Sequence, residues 1–208
     1  VATYVKDVDK AIFLANDAID KGYKAAINIM SISHVIERDL EEALQQIEEE
    51  TNVLACYLVD SFGSLYSEDI HYYVHKFQKY IKRKEIGIHC HNNQQLAFAN
   101  TIEGIIKGVN YIDGTLYGIG RAAGNCPLEL LIGFLKNPKY NIQPLVDVIG
   151  REIMPVTKEI EWGYRIPYML TGILNQHPQS AMNFMEKSKK ENSYDFEGYY
   201  KLITAEDI

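Results

Sequence analysis

Apolar residues along this chain follow two alternating rhythms. Short dense runs rich in Val, Ile and Tyr occupy residues 1–5, 25–30, 53–59, 86–91 and 111–117, with the length and composition of strands. Between them, residues 7–21, 36–50, 67–81 and 93–107 carry apolar positions at helical spacing. Asp7 stands where it can cap the first helix, and Gly22 and Gly108 stand where the first and last should stop. Successive runs lie roughly 24 to 33 residues apart, the size of a βα unit. The alternation predicts a parallel sheet with helices outside it.

The polar residues inside the strand runs choose between an open sheet and a barrel. Asn28, Asp60 with Ser61, His89 with His91, and Asp113 with Thr115 all lie in strands or at their ends. In a (β/α)8 barrel those ends ring one active site. The expected fold class is therefore α/β, a (β/α)8 TIM barrel represented by its C-terminal five βα units, strands 4–8, plus C-terminal helices. Five strands cannot close such a barrel, so either roughly three N-terminal units belong to a longer chain or the sheet is open, and the start inside an apparent strand at Val1 favours the longer chain as the expectation. Residues 1–150 form the barrel portion and residues 151–208 a helical extension. Within the extension a helical group at 168–190 is set off by Pro155, Gly163 and Pro167, and residues 191–208 read as a polar, Tyr-rich end, part helix or loosely ordered.

Composition narrows the function. With 208 residues, 47% of them hydrophobic, the chain can bury a substantial core. A net charge of −7 with dispersed Lys and Arg offers no footprint for a phosphate backbone, which argues against nucleic acid. No run approaches the roughly 18 apolar residues of a membrane span, and the opening residues lack a signal peptide's pattern, so a cytoplasmic location is expected. Cys56, Cys90 and Cys126 have no paired spacing and offer no disulfide framework. Cys56 reads as core, and Cys90, alternating with the histidines, should face away from them.

The chemistry concentrates in two places. His89 and His91 are two apart in a strand, so their imidazoles project to one side and can share a divalent ion, although a histidine there also suits a general base. Gly118, Gly120 and Gly124 let the following loop fold close over a ligand, where Asn125 can offer its side-chain carbonyl. The helix opening near Pro127 also offers free backbone N–H groups to an anion.

Taken jointly, His89-Cys90-His91-Asn92, Leu96-Ala97-Phe98-Ala99-Asn100, Gly108, Asp113-Gly114-Thr115, Gly118-Ile119-Gly120, Ala123-Gly124-Asn125 and Pro127-Leu128-Glu129 resemble the metal-dependent lyase and synthase superfamily built on a TIM barrel. That superfamily includes 4-hydroxy-2-oxovalerate aldolase, hydroxymethylglutaryl-CoA lyase, and the isopropylmalate and homocitrate synthases. Val1-Ala2-Thr3, Met30-Ser31-Ile32-Ser33-His34, Asp60-Ser61-Phe62-Gly63 and the late Gly163-Tyr164 with Tyr168 look most like the aldolase branch, while Gly120–Cys126 is as similar to the synthases.

The resemblance implies that His89 and His91 bind the metal and that Asn125 is a further ligand or orients one. It implies Mn2+ first, with Mg2+, Co2+ or Zn2+ also suited to the donor set. Asn28 and Tyr164 become candidates for the catalytic chemistry, and Ser61, Gly120 and Gly124 for substrate binding. The superfamily's Arg-Asp-Gly motif, which supplies a carboxylate ligand and an arginine for the substrate carbonyl, has no counterpart in this sequence, nor has the histidine that follows it. Gln95 falls where the family usually has a small residue. The implied reaction is a class II aldolase cleavage or formation of a C–C bond in a 4-hydroxy-2-oxo acid. The alternatives are an acyl-CoA-dependent synthase of the isopropylmalate type and a non-catalytic barrel lacking the Asp ligand. The implied partners are a small-molecule 2-oxo acid, an aldehyde dehydrogenase and a second copy of the chain.

Overall fold

In the computed structural model, which describes residues 1–205, the five apolar runs pair as one parallel sheet in the order β1-β2-β3-β4-β5. The strands are β1 (Ala2–Thr3), β2 (Ala26–Ile29), β3 (Ala55–Asp60), β4 (Glu85–Cys90) and β5 (Tyr111–Ile112). A doubly wound sheet reverses its strand order part-way, and this one does not. When every right-handed crossover steps the same way, the helices collect on one face of the sheet. The result is the α/β architecture of five consecutive strands of a TIM-type barrel.

The chain divides into two compact units, the first comprising Val1–Ser61, Leu65–Cys90 and Phe98–Asp113. It contains the whole sheet together with α1 (Val8–Asp20), α2 (Glu37–Glu50), α3 (Ser67–Tyr80) and nearly all of α4 (Ala97–Ile106). Strand alternation sorts its side chains into two sets. Ile27, Ile29, Cys56, Leu58 and Ile88 are fully buried, as are Leu44, Ile47, Ile70, Val74 and Phe77 from the apolar stripes of α2 and α3. Each such side chain stabilises the fold by roughly 1.5–3 kcal/mol relative to exposure. On the other face Ala55, Tyr57 and Val59 cluster with Ala26 and Tyr111. Alternation puts Asn28 and His89 on that face as well, whereas Asp60 falls on the opposite face with Cys56 and Leu58, buried and accepting the Leu65 N–H at 3.4 Å.

Glu48, near the end of α2, ties that helix to the start of β4. Its carboxylate accepts hydrogen bonds from the Arg83 amide at 3.0 Å, Arg83 Nε at 2.8 Å and Lys84 Nζ at 3.2 Å. Burial pushes the Glu48 carboxyl up, but these bonds outweigh it and hold the group below the ordinary glutamate range.

Several boundaries differ from the periodicity. The run at residues 1–5 yields only a two-residue strand because Val5–Asp7 turns into a 3-10 helix. Asp7 occupies the cap position of α1, but its carboxylate pairs with Lys10 at 2.6 Å instead of capping. The helix expected from residue 93 begins at Ala97, because Asn92 Oδ1 accepts the Ala97 N–H at 3.1 Å and Gln95 takes a left-handed φ of 63°. That conformation favours small residues, and Gln95 satisfies it by donating its side-chain amide to Asn92 O at 2.8 Å. The strand expected at 111–117 ends at Ile112, and Leu116–Gly118 forms a 3-10 turn. Gly22 and Gly108 stop their helices as expected, at φ 86° and 92°.

The second unit comprises Phe62–Ser64, His91–Ala97 and Gly114–Ile208. Its helices are α5 (Leu128–Leu135), α6 (Ile142–Val148), a π-helical turn at Ile149–Ile153, α7 (Met154–Val156), α8 (Ile166–Ile173), α9 (Gln179–Glu191) and α10 (Phe196–Thr204). Their core joins Tyr168, Ala181, Met185, Tyr199 and Ile203 to Ala122 and Ala123 of the glycine-rich loop. The polar end is thus helical over α10, whose start Asp195 caps by accepting the Gly198 N–H at 2.9 Å. Residues 206–208 of that expectation lie outside the described residues. Cys56, Cys90 and Cys126 are buried and form no disulfide among the described residues, Cys90 facing away from His89 in the alternation of β4. Among the described residues no helix is long and apolar enough to cross a membrane.

Candidate functional site

In the first unit the sheet register lines up Asn28, Tyr57, Gly87 and Tyr111, each the partner of the next across β2 to β5. One rung toward the C-terminal ends, Val59 pairs with His89. Beyond β5 the Asp113 N–H continues the ladder by donating to Ile88 O at 3.1 Å. Gly87 matters for what it lacks. A Cβ there would stand 2.5 Å from the Tyr57 ring carbons, so the ring occupies the space that any other residue would fill.

Tyr57 packs edge-on against Tyr111, with ring centroids 6.5 Å apart, and its hydroxyl lies near the Asp113 carboxylate. Burial, and then the neighbouring Asp113 charge, push the phenol up to about 12, so it stays protonated as a donor. The same carboxylate meets the imidazole expected to bind metal: Asp113 Oδ2 lies 3.0 Å from His89 Nδ1. Asn28 sits on β2 in this unit, partly exposed. Ser61 follows β3, and its Oγ accepts the Ser31 N–H at 2.8 Å, holding Ser31 in a left-handed conformation with φ 53°.

In the second unit the glycine-rich loop is built around Asn125. His91 and Asn125 form an antiparallel bridge, and the adjacent Asn92 N–H donates to Gly124 O at 2.9 Å. Directly opposed residues of an antiparallel pair project to one side. The glycines make room for this. A Cβ at Gly120 would stand 2.5 Å from Asn125 Nδ2, and one at Gly124, whose φ is 83°, would stand 2.2 Å from Gly118 O. Both positions expected to bind substrate thus have a structural reason to be glycine.

The Asn125 side chain is held from one end only. Its Nδ2 donates to Ile119 O at 3.0 Å, while its Oδ1 is buried and has no hydrogen-bond partner among the described residues. An orphaned buried acceptor costs about 1–3 kcal/mol. A neutral carbonyl oxygen presented beside a histidine fits a divalent cation, which accepts mixed N and O donors. Among the described residues no group of three or more His, Cys, Asp or Glu is gathered closely enough to hold a metal ion.

Tyr164 is exposed, in the stretch leading into α8. The residues before it are fastened to the glycine-rich loop: the Gly163 N–H donates to Ala122 O at 3.1 Å and Trp162 Nε1 to Tyr117 O at 3.0 Å. The anion reading of the α5 start meets a correction. The Leu128 N–H donates to Thr115 O at 2.9 Å, and Glu129, in the first turn, accepts the Tyr117 N–H at 3.1 Å. An amide already spent and a carboxylate in place make that terminus a poor cradle for an anion.

The structure thus joins His89 to Asp113 and, through it, to Tyr57, and joins His91 to Asn125, Gly120 and Gly124. Sequence reasoning noted Asp113 only as a polar strand-end residue and missed Tyr57 and Gly87 altogether. Alternation puts Tyr57 on the same sheet face as His89, a signal available in the sequence once the strand register is known.

Residues 2–152 match the family described as HMGL-like. The oxaloacetate decarboxylase of Mycobacterium tuberculosis is 36% identical over 119 residues, covering 57% of this chain and 35% of that protein. The 4-hydroxy-2-oxovalerate aldolase of Thermus thermophilus is 30% identical over 135 residues, covering 63% of this chain and 39% of that protein. Among solved structures, the N-terminal domain of a candidate aldolase from Bacteroides vulgatus superposes with a TM-score of 0.79 at 29% identity, covering 88% of this chain and 62% of that one. The chain spans less than half the length of these two curated relatives.

Proposed function

This chain belongs to the HMGL-like family, and on that premise we propose that it is part of a divalent-metal-dependent lyase that cleaves a 4-hydroxy-2-oxo acid to pyruvate or a close relative plus an aldehyde, and runs the reverse. The observation that carries the reading is the buried, partnerless Asn125 Oδ1 on the residue bridged to His91. A carbonyl oxygen held that way is a preformed ligand.

His89 and His91 are assigned to hold the ion, Mn2+ first, with Mg2+, Co2+ or Zn2+ compatible with the same donors. Asn125 is assigned as an auxiliary ligand. When bound, the ion would polarise the 2-oxo group and stabilise the negative charge that develops as the adjacent carbon loses its bond.

In the cleavage direction the 4-hydroxyl gives up its proton and its oxygen becomes the aldehyde carbonyl. The C3–C4 bond breaks with its electron pair left on C3, and C3 then takes a proton to become the methyl group of pyruvate. Tyr164 is the candidate for proton transfer at the hydroxyl, and Asn28 for hydrogen-bonding the oxo acid. Ser61 accepts the Ser31 N–H and retains its own O–H proton to donate to a substrate oxygen. Consumption of the aldehyde by a dehydrogenase, self-association and a cytoplasmic location belong to the same proposal.

A second reading has its own support in the 36% identity to an oxaloacetate decarboxylase. Loss of CO2 from oxaloacetate leaves the same electron pair on C3, but no hydroxyl proton has to be removed. The two are separated by incubating the full-length protein and Mn2+ with 4-hydroxy-2-oxopentanoate or with oxaloacetate and following pyruvate and the co-product. Aldehyde with pyruvate supports the aldolase, and CO2 from oxaloacetate above the metal-only rate supports the decarboxylase. Elemental analysis of His89→Ala and His91→Ala tests the shared premise, and undiminished metal content in both would refute it.

A further inference from the structure

The proposed site uses His89 as a ligand but leaves unexplained why its ring meets Asp113. His89 Nδ1 lies 3.0 Å from Asp113 Oδ2, and the two side chains are 25% and 39% exposed. A pair that open would add little to stability as a surface ion pair. Yet the Asp113 carboxylate also lies near the hydroxyl of Tyr57, which sits on β3, two strands from β5, with β4 between them. Tyr57 can cross β4 only because residue 87 has no side chain, its ring filling the position of a Gly87 Cβ. Tyr111, the register partner of Gly87, meets the ring edge-on. Three residues are therefore arranged to set one carboxylate against one imidazole nitrogen.

We propose that Asp113 is the positioning residue of the His89 ligand, fixing its imidazole as the Nδ1–H tautomer so that the Nε2 lone pair is the one offered to the ion, with Tyr57 laid over Gly87 to hold the carboxylate in place. The chemistry follows from donor inventory. An ionised carboxylate only accepts, so the His89 nitrogen that meets it must carry the proton, and in a neutral imidazole the other nitrogen is then unprotonated. Hydrogen bonding at the far ring nitrogen also fixes ring rotation and raises ligand basicity, an effect whose removal typically costs 10- to 100-fold in metal affinity. The Tyr57 hydroxyl, near the same carboxylate, limits its rotation. Asp113 touches neither the ion nor the substrate in this assignment.

The inference rests on the metal reading of His89, and its test separates the two. In the full-length protein stripped of metal, nitrogen-15 NMR of labelled histidine, assigned by the loss of one ring in His89→Ala, reports which nitrogen of His89 carries the proton. The expected result is a protonated Nδ1 in the native protein and a shift toward the Nε2–H form in Asp113→Ala. Asp113→Leu, close in shape and without an acceptor, covers the case in which the alanine variant fails to fold. Titration with Mn2+ alone should show about 10- to 100-fold weaker binding in Asp113→Ala and a smaller loss in Tyr57→Phe, which keeps the ring and deletes only the donor. An unchanged His89 tautomer in the Asp113 variants, or Mn2+ affinity within twofold of native, would overturn the positioning role. Retention of Mn2+ by His89→Ala would instead overturn the metal reading, leaving the tautomer result to decide the Asp113–His89 bond by itself.

Discussion

Replacing Asn125 with alanine separates a ligand from a structural residue, because the two roles change stability in opposite conditions. The deletion removes the hydrogen bond from Nδ2 to Ile119 O, a loss of about 1 kcal/mol. That loss is softened because Ile119 O keeps a second donor, Thr115 Oγ1 at 2.8 Å. The deletion also removes the partnerless Oδ1, whose burial costs about 1–3 kcal/mol. Metal-free stability should therefore stay within about 1 kcal/mol of native or rise. With metal the balance reverses. Free Mn2+ at 100 times its dissociation constant stabilises the native protein by about 2.7 kcal/mol, and a tenfold weaker site at the same free Mn2+ gains only about 1.4 kcal/mol. Urea unfolding of full-length protein and variant, each with chelator and with buffered Mn2+, yields all four values. A variant that loses more than about 2 kcal/mol without metal yet keeps the whole Mn2+ increment would refute the reasoning and make Asn125 a loop residue only.

Other perturbations test neighbouring parts of the argument. Gly87→Ala places a Cβ within 2.5 Å of the Tyr57 ring and should destabilise by about 1–3 kcal/mol as an overpacked contact, read from urea midpoints, with Tyr57→Phe/Gly87→Ala no more damaging at the site than Gly87→Ala alone. Gly124→Ala carries left-handed strain of about 1–2 kcal/mol besides its clash with the Gly118 backbone carbonyl, so it should lose more stability than Gly120→Ala, whose new methyl meets first the Asn125 side-chain amide. Cys56 is fully buried, and desolvation pushes its thiol up to about 12. It should resist iodoacetamide at pH 8 in the native protein and react only after unfolding, as followed by mass spectrometry.

Acid should act through Glu48. Its folded-state carboxyl is held below the ordinary range, so it contributes stability above the unfolded-state value that is lost as pH falls through the folded one. Glu48→Gln should be destabilised near neutral pH and lose less than native between pH 5 and the acid limb, measured by thermal unfolding across pH.

The order of βα units, the inward polar positions and the two chemical segments were legible in the amino-acid sequence because each is a local pattern. Period-two and helical spacing identify strands and helices, and His89 and His91 share a strand face by covalent geometry alone. The glycine spacing of residues 118–124 likewise announced a loop that folds back on itself. What the sequence could not reveal depends on register and on chain segments that are neighbours only in space. That Asp113 meets His89 and that Tyr57 crosses Gly87 to reach Asp113 follow from the lateral pairing of β3, β4 and β5. The shortened β1 and β5 and the delayed start of α4 reflect turns and side-chain hydrogen bonds that hydrophobic periodicity does not encode. Asn125 shows the division most sharply. Its place in the loop was readable, but only the folded chain satisfies its amide through Ile119, bridges its backbone to His91, and leaves its carbonyl oxygen buried without a partner.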